Sequence, residues 1–119
     1  MIETLLNARL KTIAANVYPN VAPLNYKTPC VVYQNIDTET FNDLDGFADQ
    51  RFVTFQLSIS SPNFGEAKLL AHAVRNSLRD WREDGVSAVS WINEHAMVDD
   101  TTDTTLHRVL LFFKFFADE

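Results

Sequence analysis

Cysteine occurs once in this chain, at Cys30, so no internal disulfide can form and no multi-cysteine metal site is available. Basic residues are few, ten against sixteen acidic ones, and the net charge of −6 argues against general affinity for phosphate backbones. Long apolar runs are missing as well. In the opening MIETLLNARLKTIAANV, Glu3, Arg9 and Lys11 interrupt the stretch that an export signal or a membrane span requires. The expectation is a protein that stays where it is made, without membrane or specific nucleic-acid partners. A Gly-rich phosphate loop and a nucleophile elbow are also absent from the sequence, which points away from an enzyme.

What is present suits a single domain, 1–119, long enough to bury roughly 65% of the unfolded surface. Ile2, Leu5, Leu6, Leu10, Ile13 and Val17 recur at three- and four-residue steps and predict an amphipathic helix ending before Pro19. Three of the four prolines, Pro19, Pro23 and Pro29, then fall within VYPNVAPLNYKTPC. They predict a stiff connector without regular hydrogen bonding. Cys30 to Ile36 reads as a strand, and Gln50 to Ser60 as a second, with Val53, Phe55, Leu57 and Ile59 on one face. Between them lies DTETFNDLDGFAD, with five acids and no base, expected to be a mobile excursion rather than a tight turn.

A second helix starts after Asn63, a candidate cap with Glu66 at capping-box spacing, and buries Ala67, Leu70, Ala71, Val74, Leu78 and Trp81 before Gly85 ends it. Val86 to Val98 and Thr105 to Ala117 read as two long strands. The order αββαββ predicts an α+β fold: one largely antiparallel sheet with both helices packed on one face.

Few residues carry chemistry. With Gly46 at the sixth position of a calcium loop, Phe41 and Phe52 would hold the first and twelfth, and neither offers oxygen. His72, His95 and His107 lack helical ligand spacing. His95 and His107 could still meet across the last hairpin near Asp99, Asp100 or Asp103, the basis of an alternative reading as a small metal-dependent enzyme.

Two surface patterns point to association instead. Lys68, His72, Arg75, Arg79 and Arg82 lay basic groups along one stripe of the second helix, expected opposite its core face. The acidic excursion offers Asp43, Asp45 and Asp49 as a complement from a neighbouring subunit; a solvated face is the plainer alternative. In the last strand Val109, Leu111, Phe113 and Phe115 fill one face, while Leu110, Phe112 and Phe116 give the other face an apolar character that wants cover. Either a loop such as 41–47 or another subunit could supply it.

The segments VYPNVAP, TPCVVYQ and FVTFQLSISSPNFGEAKLLAHAVRNSL together resemble the small tail-completion or tail-terminator proteins of long-tailed bacteriophages and prophages. The likeness runs from the first helix to about Trp81. It implies a structural protein without cofactor that forms a ring, commonly hexameric, on the end of the tail tube, stops its growth and presents a surface for head joining. Its implied partners are its own copies, the tail tube protein and a head-completion or connector protein. Its implied location is the host cytoplasm during assembly and then the tail or neck of the virion. Another neck, connector or minor tail subunit is the near alternative.

Overall fold

The computed structural model of the chain describes residues 1–43, 46–47, 50–100 and 105–118, with side chains left aside at 42, 43, 46 and 47. Its elements are α1 (Ile2–Lys11), β1 (Val17–Pro19), β2 (Cys30–Glu39), β3 (Asn42–Asp43), β4 (Gly46–Phe47), β5 (Gln50–Ser61), α2 (Phe64–Leu78), β6 (Val86–Asp99) and β7 (Leu106–Asp118). Five strands form one sheet in the order β1-β2-β5-β7-β6, while β3 and β4 pair with each other. Only the β1–β2 pairing is parallel. The expected α+β fold is therefore present.

The core lies between the two helices and one face of the sheet. Ile2, Leu6 and Leu10 of α1 meet Ala67, Ala71, Val74 and Leu78 of α2 over Val31, Val53, Phe55, Leu57, Ile59, Val109, Leu111, Phe113 and Phe115. Alternation along β5 and β7 places these strand residues on one side, as period-two geometry requires. Arg9 locks the helices together. Its guanidinium donates to the Ser77 carbonyl at 2.9 Å and to the Ser77 hydroxyl at 3.0 Å, in the last turn of α2 where cations are favoured.

Three expectations are corrected. The first helix stops at Lys11 rather than reaching Val17, because Asn16 turns the chain toward the sheet: its side chain donates to the Pro29 carbonyl at 3.1 Å and its carbonyl accepts from Val31 at 2.9 Å. Val17–Pro19 is then an edge strand paired with β2, a place where proline is tolerated because its missing N–H faces outward. The stretch foreseen as a connector without regular hydrogen bonds thus begins with a strand.

The second helix ends at Leu78, well before Gly85. Arg79 takes an extended cap conformation and Asp80 a left-handed one, φ 55°. Gly85 serves the next turn, with φ 98° and a position where an added Cβ would come within 3.0 Å of Leu5.

Third, the acidic excursion begins later than expected. Asp37, Thr38 and Glu39 continue β2 and pair with Thr54, Val53 and Phe52, whereas Leu44, Asp45, Ala48 and Asp49 lie outside the described residues.

The cap of α2 is a variation on the expected box. Asn63 Oδ1 accepts from the Glu66 N–H at 2.9 Å. The Glu66 carboxylate, however, accepts from the Ser61 hydroxyl at 2.6 Å, and that hydroxyl accepts in turn from the Asn63 N–H at 3.1 Å. Ser61 relays the contact that a direct capping box would make.

Candidate functional site

β-Bulges decide which side chains share a face. In β6 the register slips at Ile92, between the pairs Trp91↔Phe113 and Asn93↔Phe112. Strict alternation would set Trp91 and Glu94 on opposite sides; the extra residue returns both to the helix side. Arg75 of α2 meets both, its guanidinium carbon 4.9 Å from the Trp91 ring centroid and its Nε 3.5 Å from Glu94 Oε1. Lys68 Nζ is 3.7 Å from the other Glu94 oxygen.

The basic stripe therefore does not stand opposite the core face. It flanks β6, and two of its members are partly neutralised by one glutamate. His72 lies 3.0 Å from the Asn76 amide through Nε2, and Arg82 donates to the Ser87 carbonyl. Arg79 is exposed, and its side chain has no ion pair or hydrogen bond among the described residues. Between α2 and β6 a groove of about 470 Å³ is lined by His72, Arg75, Arg79, Val89, Trp91 and Phe113.

Among the described residues β6 is also an edge of the sheet, with no strand on its outer side. It contains no lysine, arginine or proline, the devices that usually discourage edge pairing. Trp91, Ile92, Met97 and Val98 are about half exposed along it.

The helix-free face of the sheet is covered at both ends and open between them. At one end the loop 20–26 lies over a polar cavity of about 240 Å³ lined by Cys30, Ser58, Ser60 and Arg108, among others. Arg108 is held there by Asp99 at 2.9 Å. Cys30 is buried in this wall rather than beneath the helices, and burial raises its thiol pKa. At the other end Phe41 packs against Phe52 and Phe116, with ring centroids 5.5 and 6.4 Å away, and Phe52 meets Phe116 at 4.9 Å. A bulge at Ile36 turns Glu39 onto this face, where it pairs with Lys114 at 3.1 Å.

Phe116 is thus met by the chain's own Phe41, the loop cover that the sequence allowed. Leu110 and Phe112 remain in the open middle, half-buried, with the His95 ring 5.9 Å from Phe112.

The histidines do not converge. His95 pairs in register with Leu110 on the helix-free face, whereas His107 follows Val109 and Leu111 on the helix side and touches Phe64. The metal-enzyme alternative fails on this geometry, because one sheet separates its two ligands. Asp99 is committed to Arg108, Asp100 accepts from the Thr105 hydroxyl, and Asp103 lies outside the described residues. Among the described residues no group of three His, Cys, Asp or Glu side chains could hold a metal ion. Asp43, Asp45 and Asp49 likewise have no described side-chain position.

The bulges at Ile36 and Ile92 were not foreseen. Their only signal in the sequence is a break in alternation: Ile36 stands between Asn35 and Asp37, and Ile92 directly follows Trp91.

A family model described as tail completion protein gp17 matches residues 2–118. Among solved structures, a chain of the virion of a native gene transfer agent particle is similar in fold: TM-score 0.65, 22% identity, 97% of this chain and 85% of that chain covered. No curated protein matches the chain significantly.

Proposed function

The chain belongs to the tail completion protein gp17 family, structural proteins of phage tails, and on that premise we propose that it closes the end of a tail tube as a ring of identical subunits. A hexamer is the stoichiometry in view. In that position it ends tube elongation and offers its outer surface to a head-completion or connector protein. It acts without catalysis or cofactor. Subunits fold in the host cytoplasm and finish in the tail or neck of the particle.

The observation that carries this reading beyond the family is the middle of the helix-free face. Leu110 and Phe112 stay partly exposed there, although rings or loops close the same face on either side. Complete burial of a leucine or phenylalanine is worth about 1.5–3 kcal/mol, so this patch supports contact with a neighbouring subunit or with the tube. The likeness to a chain of the gene transfer agent virion supports the fold.

The test is electron microscopy of particles lacking this protein. Tails of uncontrolled length without heads, restored to uniform headed tails by adding the purified chain, are expected. Tails of normal length that only fail to join heads would instead favour a connector role.

A further inference from the structure

We propose that the groove between α2 and β6 is the receiving half of a subunit contact, and that its occupant is the acidic excursion that follows β2, residues 40–49, of a second copy of this chain. The inference rests on the ring reading and names the surfaces that would make the ring.

Charge complementarity carries it first. Arg79 stands exposed and unpaired at the groove, beside Arg75 and His72, in a chain whose net charge is −6. The segment 40–49 holds three acids, Asp43, Asp45 and Asp49, and no base. The groove itself is walled by Val89, Phe113 and a half-exposed Trp91.

Placement carries it further. The excursion joins β2 to β5, while the groove lies beside β6 at the other margin of the sheet. Phe41, at the start of the excursion, packs on the helix-free face against Phe52 and Phe116, whereas the groove opens on the helix face. The strands that carry the donor segment thus stand apart from the receiver. Such a heterologous pair propagates head to tail and closes into a ring when the rotation permits.

The experiment uses two variants of the whole chain, Arg79→Glu and the double variant Asp45→Arg with Asp49→Arg, measured by sedimentation alone and mixed. The Arg79 side chain makes no ion pair or hydrogen bond among the described residues, so its reversal spares the fold, and circular dichroism checks this. Each variant alone is expected to need at least about tenfold more protein to assemble than the unaltered chain. The equimolar mixture should recover assembly, because each altered groove then meets an oppositely altered excursion. Trp91 gives a second readout. Trp81 is already buried, so a blue shift of tryptophan emission on assembly reports Trp91 becoming covered. Variants that assemble like the unaltered chain, with unchanged emission, overturn the groove contact and leave the ring reading standing. An unaltered chain that stays monomeric, alone and with tail tubes, overturns both.

Discussion

Trp91 and Glu94, three positions apart in β6, lie on the same face of the sheet, and Arg75 touches both. The Ile92 bulge creates this relationship. Deleting Ile92 would restore plain alternation and carry either Trp91 or Glu94 to the helix-free face. The expected result is a loss of about 1–3 kcal/mol, because Arg75 Nε is buried and faces only Glu94. Glu94→Gln should cost less, since a polar partner remains. Urea denaturation of the two variants checks the order.

The open middle of the helix-free face gives a separable prediction. Leu110→Ser with Phe112→Ser should leave a folded chain, destabilised by about 2–4 kcal/mol because both side chains are partly buried, yet unable to assemble. Phe116→Ser should instead lower stability by about 1–3 kcal/mol through its rings with Phe41 and Phe52. Unfolding by the Leu110 and Phe112 pair would show that those residues belong to the domain's own core.

Helix α2 depends on a relay. Asn63→Ala should cost about 1 kcal/mol as a lost N-cap. Ser61→Ala should also destabilise, although Ser61 precedes the helix, because its hydroxyl joins Asn63 to Glu66. Thermal melts of the single and double variants should be clearly non-additive, as expected of groups in one network.

Alkaline pH should weaken the fold. Burial raises the Cys30 thiol pKa, and burial with the charge of Glu3 raises that of Tyr33. An acid that ionises less readily when folded stabilises the chain below its unfolded pKa, about 8.5 for a thiol. That contribution is lost as pH rises through the unfolded value toward the folded one. Denaturation midpoints should therefore fall above about pH 8.5, and Cys30→Ala should flatten part of the decline.

The core has little tolerance. Phe55 and Phe115 are fully buried, with ring centroids 5.7 Å apart, and Phe55→Ala should cost about 3–5 kcal/mol. A drop below 1 kcal/mol in a chemical melt would contradict the packing described here.

Local patterning by itself determined the two helices, the four long strands, the Asn63 cap and the inward residues of β5 and β7. Each of those follows from periodicity over neighbouring positions, which one chain segment carries alone. The short strand β1 was hidden because three residues with a proline carry no period, and only β2 can pair with them. The end of α2 was misplaced because Trp81 remains buried after the helix stops, so the apolar pattern outlasts the hydrogen bonding. For the candidate surfaces, sequence named Arg75, Arg79, Leu110, Phe112 and Phe116 as residues facing outward from the core stripe. Tertiary structure decided what each of them meets. A bulge brings Glu94 under Arg75, Phe41 folds over Phe116, and Arg79 and Phe112 are left to the surface, because contacts across strands depend on register and register is a property of the whole sheet.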